Sequence, residues 1–523
     1  MTTTSSYDDV LYPGYVHPQT HPDRLAVLAT LFGMQPAPVP GARILELACG
    51  QGSNLIPLAV SCPSSTCLGI DLSARQIASG MTVVQELGLS NIELRTQSIL
   101  DFPSDAGQFD YIIAHGVFSW VPEPVRDKIL QICRDHLAPQ GVAIVSYNTF
   151  PGWHQRRMIR DMMRFHTKSF TEPEKRIQQA KAFLTFMTKA VTADTAYGQS
   201  LHEEFRSLSN VDESYLFHEQ LEEVNEPQYF HEFAKHAQSH SLQYLSEIEL
   251  SNLQLERYPP QITEVLAKME IVEREQYLDF LTRRTFRQTL LCHKEVELNR
   301  NDLSSRLAGL RVSSGQLAGR SAEELHGNQP LVFQGPNGAQ LTINDALVKT
   351  AFVQMGQAWP DSIAMSDLQA SVRRELAGGK VVVQSQAEFQ QDSLSLTHSI
   401  AQAFVFGLVE LHTAESTFAN KVTEQPKACA LARYQASTGA RVTNRRHSSV
   451  TLDPINCYLL TQLDGSQNKD QLLQRLVQYV FDHQIALQHD GQIVNSEAEI
   501  RELLRSKLEP GLEQIRRQVL LTD

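Results

Sequence analysis

Two carboxylates and two glycines at a fixed spacing are the residues of this chain best suited to hold a ligand. Gly50 and Gly52 follow a short apolar run that contains Glu46, and Asp71 ends a second apolar run about twenty residues later. Glycines let a backbone turn sharply and let a ligand approach closely. An acidic side chain at this distance can accept hydrogen bonds from both hydroxyls of a ribose. The spacing predicts a nucleotide-like ligand over the carboxyl end of a strand.

Glu46 and Leu55 distinguish this turn from a dinucleotide site. A dinucleotide fingerprint would place its third glycine at position 55, where the chain has Leu55. Glu46 lies just before the turn, and a carboxylate there disfavours a pyrophosphate but favours a positive charge. We therefore expect a positively charged ligand.

The elements that position these residues alternate between strands and helices. Short apolar runs predict buried parallel strands, and amphipathic stretches predict helices from residue 55 and over residues 74–87 and 123–137. Pro-Gln-Gly at 139–141 is a helix-stop signal expected to precede the fifth strand. The predicted strands are residues 44–47, 66–70, 92–96, 109–114, 142–147, 241–246 and 285–293.

Four segments resemble known families. Segments 46–52 (ELACGQG) and 69–73 (GIDLS) resemble the first two motifs of class I S-adenosylmethionine-dependent methyltransferases. Segments 225–233 (NEPQYFHEF) and 284–293 (RTFRQTLLCH) resemble the methyltransferase regulatory domain of a bacterial branch of these enzymes, which includes the rickettsial protein-lysine methyltransferases. The resemblance covers roughly residues 7–300.

The resemblance implies a Rossmann-like α/β fold with a seven-stranded methyltransferase sheet. We expect a methyltransferase domain over residues 1–300, with a helical insertion at about 155–240 and a regulatory-type region at about 215–300. Beyond it, helices closed by a strand predict a winged-helix-like domain over 301–415, including a hairpin at 331–343 around Pro-Asn-Gly. An α+β domain over 416–523 repeats the pattern, with predicted strands at 430–434 and 450–452.

S-adenosyl-L-methionine is the cofactor that the resemblance implies, with S-adenosyl-L-homocysteine as its product. The turn after the third strand is where this class commonly holds the adenine. The residues expected to bind the cofactor are Glu46, Ala48, Gly50, Gly52, Asn54, Asp71, Leu72, Gln76, Ser98, Ile99 and His115.

Side chains that follow the fourth and fifth strands are expected to meet the methyl acceptor. If the acceptor is a lysine, its amine must lose a proton from a pKa near 10.4, and an apolar, aromatic-lined pocket would disfavour the charged form. Such a pocket could also hold a methylated ammonium by cation–π contact. The candidates are His115, Trp120, Tyr147 and Trp153, with Phe118 beside them. His115 is either a general base or a contact to the backbone or cofactor, and core packing is the alternative for each aromatic residue.

Composition limits the partners of this chain. The 523 residues carry a formal net charge of −13, which disfavours nonspecific binding to nucleic acid or to an anionic membrane. No apolar span is long enough to cross a bilayer, and the beginning of the chain lacks the pattern of a signal peptide, so we expect a cytoplasmic protein without membrane insertion. Seven scattered cysteines suggest reduced thiols. A homodimer is one candidate assembly.

Several other features leave alternatives open. The Tyr-, Pro- and His-rich segment at 7–22, with Tyr12, Tyr15, Thr20 and His21, is either a lid over the cofactor or an arm packed on the sheet. Acidic residues at 219, 222, 223 and 226 could attract a lysine-bearing substrate, but their spacing favours the solvated face of a helix. The spacing of His231, His236 and His240 is interpreted as lacking the i, i+4 pattern of a helical metal pair, and no third ligand set accompanies them, so no metal is predicted. Three arginines at 441, 445 and 446 give only a weak phosphate-binding signal.

Three functions remain compatible with the sequence. The first is a methyltransferase that acts on protein lysine side chains, with the accessory domains presenting the substrate. The second is a methyltransferase for a small molecule, with the helical insertion as a lid. The third is a cofactor-sensing DNA-binding regulator without turnover, which the acidic net charge disfavours.

Overall fold

The computed structural model describes two compact units. It describes residues 14–522, except for 210, 251–254, 302, 317–329, 335–339, 379–385, 416–417, 490–491 and 495. The first unit contains Leu28–Arg300 and the described residues before Val16. The second contains Val16–Val27 and the residues after Arg300.

A sheet of seven strands forms the centre of the first unit. Its strands are β1 Arg43–Leu47, β2 Thr66–Asp71, β3 Ile92–Thr96, β4 Phe109–Ala114, β5 Leu137–Asn148, β6 Leu242–Glu247 and β7 Phe286–His293. Their spatial order is β3-β2-β1-β4-β5-β7-β6, and β7 alone runs antiparallel to its neighbours. The Rossmann-like seven-stranded sheet is confirmed. Strand order reverses between β1 and β4, so a ligand crevice opens at their carboxyl ends.

Helices cover the sheet and fill the connection between β5 and β6. They are α2 Leu55–Ser61, α3 Ala74–Glu86, α4 Glu123–His136, α5 Trp153–Thr167, α6 Pro173–Ala190, α7 Ala196–Leu208, α8 Glu213–Leu216, α9 Phe230–Ser239, α10 Pro260–Ala267 and α11 Ile271–Thr282. The helix that precedes them, α1 Pro22–Leu31, contains residues of both units. A π-helical turn, Phe217–Leu221, continues α8. The helices α5 to α8 build a core of their own, around Met163, Leu184, Leu201 and Phe217.

The second unit joins short strands to helices. Its strands are β8 Arg311–Ser313, β9 Leu331–Gln334, β10 Gln340–Ile343, β11 Ile363–Ala364, β12 Glu410–His412, β13 Lys427–Ala428, β14 Arg441–Thr443, β15 Ser449–Thr451, β16 Leu487–His489, β17 Gln492–Val494 and β18 Leu521–Thr522. Its helices are α12 Ala346–Ala358, α13 Met365–Leu376, α14 Gln386–Val405, α15 Ala430–Thr438, α16 Pro454–Gln462, α17 Lys469–Asp482 and α18 Glu497–Arg517. Antiparallel pairing of β9 with β10 confirms the predicted hairpin strands. The Pro-Asn-Gly turn between them lies outside the described residues.

Two predicted element boundaries are wrong. Helix α4 passes directly into β5 at Leu137, so Pro139 lies inside the strand. The register between β4 and β5 shifts there, and a bulge tolerates a proline because no ladder hydrogen bond is required at that point. Residues 430–434 belong to helix α15 and not to a strand. Ala and Leu have a high helix propensity, which outweighs the short alternation of apolar and polar residues in this segment.

Two side-chain interpretations also require correction. Glu219 does not lie on a solvated helix face but is half-buried near the charges of Arg156 and Arg160, and burial raises its pKa to about 7. His236 and His240 are four residues apart at the end of α9, and both rings contact Asp127 of α4. Asp127 could not be recognised as their partner from the sequence because it lies more than a hundred residues away.

None of the described helices combines the length and apolar character that crossing a bilayer requires.

Gly80 allows helix α3 to pack closely against the turn after β1. A Cβ atom at Gly80 would overlap the carbonyl oxygen of Gln51. Glycine in a helix interior lowers stability by about 1 kcal/mol relative to alanine, but at this position its missing Cβ allows close packing. The close contact holds the glycine turn against α3.

We expect Gly80→Ala to lower the melting temperature of the full chain, although alanine is the better helix former. Gly511 in α18 is the matched control, because a Cβ there meets only ordinary contacts, and Gly511→Ala should raise stability by up to about 1 kcal/mol. Thermal unfolding of both variants measures the difference. Equal stabilisation by the two substitutions would contradict close packing at Gly80.

Candidate active site

The carboxylate of Asp71 fixes the turn that follows β1. Its Oδ2 accepts a hydrogen bond from the Gly50 amide at 2.8 Å, and its Oδ1 accepts one from the Ser73 amide at 2.8 Å. The Cys49 amide also donates to the Ile70 carbonyl at 3.0 Å. Ala48, Gly50 and Gly52 have φ angles of 58°, 56° and 73°, a left-handed region that glycine adopts at little cost. The turns after β1 and β2 thus form one unit.

Glu46 is a buried carboxylate with spare hydrogen-bonding capacity. It is 5% exposed, and its Oε1 accepts a hydrogen bond from Asn54 Nδ2 at 2.9 Å. Its Oε2 accepts none from the described residues. Burial raises the pKa of Glu46 to about 8; the Asn54 hydrogen bond lowers it, and the charge of Asp71 raises it. A cationic ligand group would satisfy both the unpaired oxygen and the charge.

The remaining predicted cofactor residues lie at the carboxyl ends of β1, β2 and β3. Leu72 is 65% exposed just after β2, a position open to an apolar ligand surface. The Gln76 side chain is buried against Gly50, where a Cβ would lie 2.8 Å from its Oε1. Ser98 Oγ accepts the Leu100 amide at 3.2 Å and caps a short helix that starts at Ile99. These residues therefore lie together at one edge of the sheet.

The described start of the chain lies against the glycine turn. A Cβ at Gly14 would overlap Ser53 Oγ, and the Tyr15 hydroxyl donates to Asp212 at 3.1 Å. This placement favours the lid over the arm for the first part of the segment. Thr20 is fully buried, and Tyr12 lies outside the described residues.

His115 follows β4 and meets β7. Its Nε2 lies 3.0 Å from Gln288 Nε2, and its ring lies edge-on to Phe286 at 6.1 Å. Sequence reasoning missed Gln288 and Phe286. Their alternation along β7 places both on one face of the sheet, and this two-residue period is the signal that could have found them.

The aromatic candidates differ in exposure. Trp120 is half-buried, with its ring 6.5 Å from Trp153, which is 1% exposed. Tyr147 is also 1% exposed; its ring stacks on Phe233 at 4.2 Å, and its hydroxyl lies 3.1 Å from Thr289 Oγ1. Burial raises the pKa of Tyr147 well above its usual value. Trp120 is therefore partly accessible, whereas Tyr147 and Trp153 belong to a buried aromatic wall.

Residues 225–228 close this wall from the other side, and the sequence did not indicate them as site residues. The Asn148 amide donates to Ser119 Oγ at 2.9 Å, and the Glu226 amide donates to the Ser119 carbonyl at 2.8 Å. Asn148 Nδ2 donates to Asn225 Oδ1 at 3.4 Å. These bonds join the ends of β4 and β5 to the segment before α9.

Three family models match this chain. A methyltransferase domain matches residues 44–141, a predicted methyltransferase regulatory domain matches 212–293, and the C-terminal winged helix domain of PKMT matches 424–520. An uncharacterized protein of Rickettsia prowazekii is 33% identical over 98% of this chain and 93% of its own length. The structure of PKMT2 from Rickettsia typhi in complex with AdoHcy is 30% identical, covers 98% of this chain and 100% of that chain, and has a TM-score of 0.87.

The chain belongs to the PKMT family of S-adenosylmethionine-dependent methyltransferases. The α/β methyltransferase fold with a regulatory domain and a C-terminal winged helix domain is thereby confirmed, as is S-adenosylmethionine as cofactor. The residues in the crevice of this chain fit the cofactor. The unpaired Glu46 oxygen suits its ammonium group, and Leu72 offers an apolar surface.

We expect cofactor binding to release about one proton per chain at pH 7. A pKa raised to about 8 leaves Glu46 mostly protonated in the free protein, and a bound ammonium would favour the carboxylate and expel the proton. Calorimetric titration with S-adenosylhomocysteine in buffers of different ionisation enthalpy measures the release. Glu46→Gln should abolish it.

Glu93→Gln is the matched control, because Glu93 is an exposed carboxylate on β3 paired with Arg95. This variant should release as many protons as the unaltered chain. Binding to the unaltered chain without proton exchange would refute the role of Glu46.

Proposed function

We propose that this protein transfers a methyl group from S-adenosylmethionine to lysine side chains of a protein substrate. The full-length similarity to Rickettsia typhi PKMT2 supports this proposal, since PKMT denotes a protein lysine methyltransferase. The observation on which the proposal depends is the open aromatic edge beside His115. Trp120 is half-buried, and Phe286, whose ring lies 6.1 Å from the His115 ring, is 42% exposed, so both rings are accessible to a side chain carried by a polypeptide.

The proposed cofactor residues are those at the ends of β1, β2, β3 and β4. S-adenosylmethionine supplies an electrophilic methyl group on a positively charged sulfur. Glu46 would accept a hydrogen bond from the ammonium group of the cofactor, Asp71 would hold the glycine turn and the ribose, and Leu72 would cover the adenine. We further propose that Ala48, Gly50, Gly52, Asn54, Gln76, Ser98 and Ile99 complete this site.

Positioning and desolvation account for the proposed chemistry on the acceptor side. A lysine amine must be neutral to attack, and an aromatic-lined pocket disfavours its charged form. In the described orientation the Gln288 amide donates to His115 Nε2, so this nitrogen already uses its lone pair. His115 is therefore proposed to position the cofactor or acceptor and not to act as the base. Tyr147 and Trp153 support Trp120 from behind.

The other two functions have less support. A small-molecule acceptor would suit a closed chamber, and the exposure of Phe286 favours an open edge instead. A DNA-binding regulator would need exposed basic side chains, but Arg446 is held against the Trp359 ring at 4.0 Å and donates to the Pro360 carbonyl at 2.7 Å. We propose that the domains after residue 300 present the protein substrate.

The proposal is tested by methyl transfer from labelled S-adenosylmethionine to lysine-containing peptides, proteins and a panel of metabolites. We expect label on lysine side chains, located by mass spectrometry, and none on peptides whose lysines are acetylated. Transfer to metabolites alone, or to acetylated peptides, would contradict a lysine acceptor.

Trp120→Leu should lower the rate of lysine methylation about fivefold, because a ring in contact with a cationic group contributes about 1 kcal/mol. Cofactor affinity should change little, since Trp120 lies on the acceptor side. The matched control is Phe165→Leu on α5, where the ring is 71% exposed. For both variants, steady-state rates measure lysine methylation and calorimetry measures cofactor affinity. An unchanged rate for Trp120→Leu would exclude this ring from the acceptor pocket.

A further inference from the structure

Three side chains meet between α4 and α9, away from the cofactor crevice. Asp127 Oδ1 lies 3.2 Å from His236 Nε2 and 2.8 Å from His240 Nε2. The ligand atoms of all three side chains lie within 4.8 Å of one another. One carboxylate oxygen thus meets two imidazole nitrogens.

The spacing of these atoms matches a tetrahedral metal site. Bonds of about 2.0 Å from zinc to imidazole nitrogen and carboxylate oxygen, at tetrahedral angles, place neighbouring ligand atoms about 3.3 Å apart. The two distances from Asp127 to the histidines require only small shifts to reach that value. Histidines four residues apart project from one side of a helix, and a carboxylate from a second helix adds the third ligand.

The ligands are partly held in place by their surroundings. The side chains of His236 and His240 are 24% and 17% exposed, and their ring centroids lie 5.5 Å apart. The His236 ring also lies 6.4 Å from Phe118.

We propose that Asp127, His236 and His240 bind a divalent transition-metal ion of the zinc class, with water in the fourth position. Two imidazoles and one carboxylate suit zinc, whereas magnesium and calcium require oxygen ligands. The ion replaces the hydrogen bonds between Asp127 and the two rings with metal bonds.

Metal at this position would connect α4 to α9 behind the acceptor wall. Phe233 of α9 stacks on Tyr147, and Phe118 lies between the Phe233 and His236 rings. A bound ion would therefore stabilise the helix on which this aromatic wall packs.

Calorimetric titration of the metal-free full chain with ZnCl2 tests the site. We expect one zinc ion per chain and a higher melting temperature with zinc, but neither effect with MgCl2. Asp127→Asn, His236→Gln and His240→Gln should each weaken zinc binding at least about tenfold, since even residues that only support metal ligands contribute that much.

His398→Gln is the matched control, because His398 is an exposed histidine on α14, and it should bind zinc like the unaltered chain. Cobalt(II) in place of zinc gives a second readout, since a four-coordinate nitrogen and oxygen site produces an intense visible spectrum that the three ligand variants should lose. Circular dichroism of each metal-free variant establishes that it is folded. Absence of zinc binding, or equal binding by the ligand variants and the control, would overturn the proposal.

Discussion

The paired hydrogen bonds from the Gly50 and Ser73 amides to Asp71 are the interaction on which the cofactor crevice depends. They tie the ends of two neighbouring parallel strands into one rigid turn. A carboxylate that accepts two backbone amides lies in a fixed orientation, and charge-assisted bonds of this kind are stronger than neutral ones. The left-handed conformations at Ala48, Gly50 and Gly52 persist because this anchor holds both ends of the turn.

A second buried carboxylate, Glu46, lies close enough for the charge of Asp71 to raise its pKa. Two carboxylates in one crevice repel each other, and the proposed binding of the cofactor ammonium group at Glu46 would relieve that repulsion. In the free protein, burial favours the protonated form of Glu46, which reduces the same repulsion. In the proposed site, the cofactor ammonium group and the proton would therefore compete for Glu46.

The far side of the sheet depends on a buried charge cluster around Arg287 of β7. Its guanidinium contacts Glu247 at 2.6 Å, Asp279 at 2.8 Å and Glu275 at 3.1 Å. Such a cluster is maintained only if every charge has a partner, because an unpaired buried charge costs several kcal/mol. It fixes the antiparallel strand that carries Gln288 and Phe286 to His115. The regulatory region thus supplies the two side chains that meet His115.

The sequence alone determined the fold class and the order of the strands in the chain, and its resemblance to a known family implied the cofactor. Apolar runs, the glycine turn and the spacing from Gly50 to Asp71 are local signals, and local signals can be read without a structure. Only the tertiary structure decided which residues from distant segments meet. Gln288 reaches His115, and Asp127 reaches His236, because strand order and helix packing bring together residues that are more than a hundred positions apart in the sequence. The tertiary structure also determines that Tyr147 is buried and Trp120 is partly exposed, because the exposure of a side chain depends on neighbours from several elements.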